Sequence, residues 1–164
     1  MYSPTVAELA KDLFETPDTI QRLMELAELL EVNIYDVSVS SYARYGYPIF
    51  MMDTITDAFF GYLVLTDDEA SCAAKDGVAD SLWELSAEFL EEQIGILDFA
   101  RLVKPAKEKD LGDEINPALL DIVQATCGLD ALAEAAIAAY GRGRFLATCD
   151  GEEYKTGEFF IYAL

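Results

Sequence analysis

The segment YLVLTDDE, residues 62–69, contains the predicted change from a buried strand to a helix. Its first five residues form a short apolar run that is typical of a buried strand. Thr66 then begins a capping box with Glu69, in which each side chain accepts a hydrogen bond from the backbone N–H of the other residue. Asp67 and Asp68 suit the positive end of a helix dipole. The segment therefore predicts a strand over 62–66 followed directly by a helix.

The helix that begins here is predicted to run to about residue 94, weakened at Gly77. One side of it is an apolar stripe made of Val78, Leu82, Leu85 and Phe89. The other side carries acidic residues four positions apart, which we call the acidic row: Asp76, Asp80, Glu84, Glu88 and Glu92. Like charges at this spacing repel by about 0.2–0.5 kcal/mol per pair. Residues 76–100 contain no Lys or Arg, so the pattern predicts repulsion that is uncompensated within the helix.

Two short helices are predicted ahead of this segment. Ser3-Pro4 and Thr16-Pro17 each pair an N-cap residue with a first-turn proline. In the second helix the apolar residues fall on one face, namely Ile20, Leu23, Ala27 and Leu30. We expect a helical hairpin over residues 1–31.

The rest of the chain predicts further helices and a small sheet. Residues 33–60 are expected to be irregular, with one or two short strands near Pro48–Met52. Residues 101–110 are interpreted as a polar connection. Asn116-Pro117 is expected to open a helix that Gly128 ends, and Asp130 is expected to cap a further helix that Gly141 ends.

Two strand-like runs end the sequence, residues 144–148 and 158–164. They are expected to form an antiparallel hairpin that also pairs with residues 62–66. The prediction is a single α+β domain over 1–164, with several helices packed on a small, mostly antiparallel sheet and a C-terminal β-hairpin. Residues 32–164 would be the helix-plus-sheet body of that domain.

The composition is strongly acidic, with 31 Asp and Glu against 11 Lys and Arg and a net charge of −20. Such a charge repels phosphates, so we expect neither direct nucleic-acid binding nor membrane binding, but a partner with a basic surface. The three cysteines, Cys72, Cys127 and Cys149, form no CxxC pair. They indicate free thiols in a reducing cytoplasm.

No catalytic constellation stands out, and the chain has no histidine. Asp150, Glu152 and Glu153 could hold a divalent cation or act in a hydrolase. A solvated turn is the favoured interpretation, because Asp-Gly is turn chemistry and the loop lacks an EF-hand pattern. We therefore expect no enzyme, no catalytic residue, no metal and no cofactor.

The C-terminal segment GRGRFLATCDGEEYKTGEFFIYAL, residues 141–164, resembles the end of a group of small acidic proteins in bacteriophage genomes and mobile elements. That group ends in a pattern close to DGRGHFLSSYDGEE, a gap, and YYIYR. YLVLTDDEA with SLWELSAEFL, and CGLDALAEAAIAA, are also similar to it. Arg144 stands where the group has His, and Ala163 where it often has Arg. The resemblance implies a phage or mobile-element origin, and with it a bacterial host cytoplasm as the compartment, and it supplies no mechanism.

The leading functional hypothesis is a non-enzymatic phage accessory protein that mimics DNA and inhibits a basic host nucleic-acid-binding or defence protein. The acidic row would be the contact, since it winds around its helix as phosphates wind around a duplex. Five other acidic residues could extend it: Glu25, Glu28, Glu31, Asp53 and Asp57. An ordinary solvated helix face is the plainer interpretation of the row. The alternative function is a virion structural or assembly protein, which would be a homo-oligomer.

Overall fold

The computed structural model describes residues 4–52 and 61–164. Their contacts divide the chain into two compact units. The first, which we call the sheet unit, takes the described residues up to Ala70 together with Leu146–Leu164. The second, which we call the helical unit, is Ser71–Phe145. This division does not test whether the chain is one domain, which stays a prediction.

The sheet unit places two helices on a five-stranded sheet. The helices are α1 (Val6–Leu13) and α2 (Pro17–Leu29), and the strands are β1 (Val37–Arg44), β2 (Tyr47–Met52), β3 (Gly61–Leu65), β4 (Tyr154–Thr156) and β5 (Phe159–Ala163). The strand order is β1-β2-β3-β5-β4, and every pairing is antiparallel. Val64 lies opposite Ile161 in the centre, and both are fully buried. The α+β class, the C-terminal hairpin and the pairing of that hairpin with residues 62–66 are confirmed.

The other six helices build the helical unit and its ends. They are α3 (Asp67–Asp80), α4 (Ala87–Ile94), α5 (Phe99–Glu108), α6 (Gly112–Ala125), α7 (Leu129–Tyr140) and α8 (Gly143–Leu146). α3 begins in the sheet unit, and α8 ends there. Val78, Leu82 and Leu85 of the predicted stripe are buried in the core of the helical unit, and Phe89 packs against that core half-buried.

Two of the predicted caps, Thr16 and Thr66, are confirmed, whereas Asp130 does not cap α7, which begins at Leu129 with Gly128 as its N-cap. The Thr16 side chain accepts from the N–H of Thr19, with Pro17 in the first turn of α2. The N–H of Thr66 donates to Oε2 of Glu69 over 2.9 Å, and the N–H of Glu69 donates back to Oγ1 of Thr66 over 3.4 Å. The cap of α1 is Thr5 instead of Ser3, because Thr5 forms a complete capping box with Glu8.

Three predictions along the second half of the chain are wrong. Residues 101–110 lie mainly in α5, whose apolar positions recur at helical spacing despite an internal Pro105. α6 begins at Gly112 and contains Pro117 in its interior. Residues 144–148 are no strand: Phe145, Leu146 and Ala147 are all buried in succession, around the end of α8, and Tyr154–Thr156 pairs with β5 instead.

Residues 37–52 form a more regular hairpin than predicted. The strand near Pro48–Met52 is confirmed as β2 and pairs with the eight-residue β1. Tyr45 and Gly46 join them with φ of 52° and 80°. Two successive positive φ values suit the right-handed twist of a two-residue hairpin.

None of the described helices is by itself long and apolar enough to cross a membrane. The pair Glu114–Ala125 and Leu129–Tyr140 reaches the required length and composition only together, with a bend of 110° between its members.

Candidate functional site: the acidic row

The acidic row lies on three elements instead of one helix. α3 ends at Asp80, a 3-10 turn spans Leu82–Glu84, and α4 begins at Ala87. The prediction of one helix to residue 94 is therefore wrong. Repulsion between residues four apart requires an unbroken helix. The repulsion therefore applies to the pair Asp76 and Asp80 in α3 and to the pair Glu88 and Glu92 in α4. It does not apply between Asp80, Glu84 and Glu88, because the helix is broken there.

Side chains from α6 and α5 stabilise the break between α3 and α4 by hydrogen bonds to its backbone. Nδ2 of Asn116 donates to the carbonyl of Ala79 over 2.8 Å, and its Oδ1 accepts from the N–H of Trp83 over 3.1 Å. The Lys107 ammonium donates to the carbonyl of Leu85 over 2.7 Å and also to that of Trp83. The polar groups that a continuous helix would pair internally are thus paired by tertiary contacts.

Ser86 then restarts the helix as the N-cap of α4, where its hydroxyl accepts from the N–H of Phe89 over 3.1 Å. Burial lowers the pKa of Lys107, while the nearby carboxylates of Glu84 and Glu88 raise it by less. The break therefore places a half-buried cation close to two members of the acidic row.

All five residues of the acidic row are exposed. Glu88 forms an ion pair with Lys104 of α5, with Oε1 and Nζ 2.5 Å apart, and the hydrogen bond from Lys104 lowers the pKa of Glu88. The segment that contains the row has no Lys or Arg of its own, but in the fold Lys104 lies next to Glu88. The predicted repulsion is compensated at Glu88, because α5 is a helix that brings Lys104 back to α4.

Apolar surface adjoins the end of the row. Glu88, Glu91 and Glu92 line a hollow of about 340 Å³ together with Ile96 and Leu97. Leu97 is 87% exposed and Ile96 is 41% exposed. A Lys or Arg side chain combines an aliphatic stem with a charged head, so this hollow can receive both parts. No pattern considered in the sequence predicts this hollow, although the apolar pair Ile96-Leu97 next to an acidic helix could have indicated it.

The residues expected to extend the acidic row differ in their exposure and in their hydrogen bonds. Glu25 lies in the sheet unit, and its Oε2 accepts from the Thr156 hydroxyl over 2.5 Å. Glu28 and Glu31 are exposed in the same unit. Asp53 and Asp57 lie outside the described residues.

The charge surplus is larger in the sheet unit than in the unit that carries the row. The described residues of the sheet unit include fifteen acidic and four basic residues, whereas residues 71–145 contain fourteen and seven. The acidity is therefore a property of both units and is not concentrated at the row.

The DGEE turn uses two of its carboxylates for its own structure. Asp150 accepts from the N–H of Glu152 over 3.0 Å and from the Tyr154 hydroxyl over 2.9 Å. Glu153 accepts from the Tyr162 hydroxyl over 2.5 Å. Across residues 4–52 and 61–164, no group of three or more Cys, Asp and Glu residues could hold a metal ion.

The cysteines are free thiols, as predicted: Cys72 and Cys149 are exposed, and Cys127 is half-buried. Comparison of the chain with protein-family models, with curated proteins and with solved structures finds no match. The resemblance to phage and mobile-element proteins stays a prediction.

Proposed function

We propose that this chain is a non-enzymatic phage accessory protein that binds a basic host nucleic-acid-binding or defence protein through the acidic row. The observation that supports the proposal is that all five carboxylates of the row are exposed, within a run of 25 residues that contains no Lys or Arg. Ordinary surfaces mix both signs of charge. A surplus of one sign attracts a partner of the opposite sign and speeds its association.

The hollow beside Ile96 and Leu97 adds to this support. Exposed apolar side chains next to carboxylates match the stem and the head of a lysine or arginine side chain. The partner's contact would thus combine ion pairs with aliphatic packing, and salt would weaken it without abolishing it.

Affinity capture from the lysate of a susceptible bacterial host tests the proposal. The parent is compared with the variant Asp80→Asn/Glu84→Gln/Glu88→Gln. A control, Asp12→Asn/Glu15→Gln/Glu152→Gln, removes the same three charges from exposed positions of the sheet unit. We expect the parent and the control to capture a basic protein that duplex DNA releases, and the row variant to lose it.

Equal capture by the row variant and the parent would refute the acidic row as the contact. A captured protein that duplex DNA does not release would refute the DNA-mimic part of the proposal. The chain would be assigned instead to virion assembly if it were found in purified particles and captured no such partner.

A further inference from the structure

Glu88 of the acidic row lines two neighbouring hollows of the helical unit. The first is the hollow of about 340 Å³ that also contains Ile96 and Leu97. The second has a volume of about 520 Å³ and contains Lys104 of α5. Glu91 lines both hollows as well. The carboxylate of Glu88 can therefore be reached by an incoming cation from the first hollow and by a cation of the chain itself from the second.

Lys104 already occupies the carboxylate of Glu88. Its Nζ lies 2.5 Å from Oε1 of Glu88, and this hydrogen bond raises the pKa of Lys104 and lowers the pKa of Glu88. A second cation that enters from the first hollow must displace the Lys104 ammonium or bear its like-charge repulsion. The ion pair within the chain therefore opposes the contact that the proposed function requires.

The backbone keeps Lys104 close to Glu88, whereas both side chains are exposed. The N–H of Ala100 donates to Oε2 of Glu91 over 2.9 Å, which ties the first turn of α5 to α4. The side chain of Lys104 is 54% exposed and that of Glu88 is 65% exposed. Exposed ion pairs contribute little to stability, because water screens them and both side chains lose conformational freedom. Displacement of Lys104 from Glu88 therefore costs little free energy.

Two further carboxylates lie near the Lys104 ammonium. The charges of Glu91 and Glu108 raise the pKa of Lys104 as well, by less than Glu88 does. The ammonium therefore stays close to negative charge after it leaves Glu88, which lowers the free energy of displacement further.

We propose that Lys104 is an internal competitor of the partner: it covers Glu88 in the free protein, and a basic side chain of the partner displaces it. This inference rests on the proposed function, because it concerns the regulation of the same site. The stem of the incoming side chain lies on Ile96 and Leu97, and its charged head replaces the Lys104 ammonium. Exposed ion pairs are weak, so this competition should weaken binding by about two- to five-fold.

An NMR titration of the full chain with a hexa-arginine peptide tests the proposal. The amide shifts of Gly95, Ile96 and Leu97 report occupancy of the first hollow, separately from binding elsewhere on the acidic surface. We expect Lys104→Gln to lower the dissociation constant obtained from these shifts by about two- to five-fold relative to Lys75→Gln. Amide spectra that match the parent away from the substituted residue establish that each variant is folded.

Lys75→Gln is the matched control. Lys75 belongs to the same unit and pairs with Asp130 over 3.2 Å, so the control removes the same charge and uncovers a carboxylate outside the acidic row. In a Glu88→Gln background, Lys104→Gln should lose most of its effect, because Lys104 then has no carboxylate of the row to cover. This double-mutant cycle separates competition at Glu88 from the general attraction of the peptide.

Two results would overturn the competition and leave the proposed function intact, provided that the shifts at Ile96 and Leu97 occur and depend on Glu88. The first is an equal dissociation constant in Lys104→Gln and Lys75→Gln. The second is an effect of Lys104→Gln that persists undiminished in the Glu88→Gln background. A titration that leaves Ile96 and Leu97 unshifted would overturn this inference together with the role of the hollow in the proposed function.

Discussion

Arg22 of α2 and Glu69 of α3 form a bidentate ion pair in the sheet unit. Nη1 lies 2.7 Å from Oε2, and Nη2 lies 3.0 Å from Oε1. Nη1 also donates to the carbonyl of Val64 over 2.6 Å, and Nε donates to Asp18 over 2.9 Å. Arg22 is only 8% exposed. One guanidinium therefore ties the helical hairpin to the central strand and to the first turn of α3.

Removal of the Glu69 charge should destabilise the protein strongly. Glu69→Gln removes the charge that pairs with the buried Arg22, which keeps Asp18 and the carbonyl of Val64 as partners, and loss of such a charged hydrogen bond costs about 1.5–3 kcal/mol. Asp18→Asn is the matched control, because Asp18 is largely exposed and its pairing four residues from Arg22 contributes only about 0.5 kcal/mol. Urea unfolding measures both free energies of unfolding. Equal losses in the two variants would contradict the central role of Glu69.

Acid should weaken the same pair. Burial raises the pKa of Glu69, but hydrogen bonds from Arg22 and Thr66 outweigh burial, so the pKa lies below its ordinary value of 4.5. A carboxylate with a lower pKa in the folded state stabilises the fold above its unfolded pKa, and this contribution is lost as the pH falls through the folded pKa. The free energy of unfolding should fall from pH 5 towards pH 3, and less steeply in Glu69→Gln. Parallel curves would contradict the assignment.

The break between α3 and α4 should depend on Asn116. Asn116→Ala leaves the carbonyl of Ala79 and the N–H of Trp83 without their partner, and each unpaired group costs about 1–3 kcal/mol. Gln124→Ala is the control, because Gln124 is an exposed amide on the same helix. Urea unfolding should show a large loss for Asn116→Ala and almost none for Gln124→Ala. A similar, small loss in both variants would show that the break is set locally.

Gly112 should be required for the packing of Trp83. A Cβ at residue 112 would overlap the indole ring of Trp83, so Gly112→Ala should cost about 1–3 kcal/mol through overpacking. Trp83→Leu shortens that side chain, and Gly112→Ala should cost less in its presence. A double-mutant cycle measures this coupling. Trp83 is the single tryptophan, so its fluorescence should also change in Gly112→Ala, and additive free energies with unchanged emission would refute the contact.

Some signals that act over a few residues predict the structure correctly, although Asn116-Pro117 does not mark the start of α6. Thr16-Pro17 and the Thr66–Glu69 box begin helices where expected, because a cap needs only its own turn of chain. The buried run 62–66 became the strand between β2 and β5, since its continuous apolar residues suit a strand that has neighbours on both sides. The stripe of Val78, Leu82 and Leu85 is buried even though the helix breaks within it.

Errors occurred where a distant side chain outweighed local spacing. The row from Asp76 to Glu92 has helical spacing throughout, but Asn116 and Lys107 pair with the backbone at a break that the spacing does not reveal. Residues 101–110 were interpreted from their charges as a connection, although the stripe from Phe99 to Ala106 was the better guide to α5. The partner of β5 was misplaced because strand pairing over short runs is decided by register and burial together.

The sequence by itself determined the class of the fold, the starts of α2 and α3 and the net charge, because local caps and apolar runs need only neighbouring residues and net charge needs only composition. The tertiary structure alone decided where α3 stops, which carboxylates of the row are exposed and which of them meets a cation. Glu88 and Lys104 are sixteen positions apart and come within 2.5 Å only because α4 and α5 pack together. Contacts of this kind depend on how helices that are distant in sequence pack against each other, and the local spacing of residues does not specify that packing.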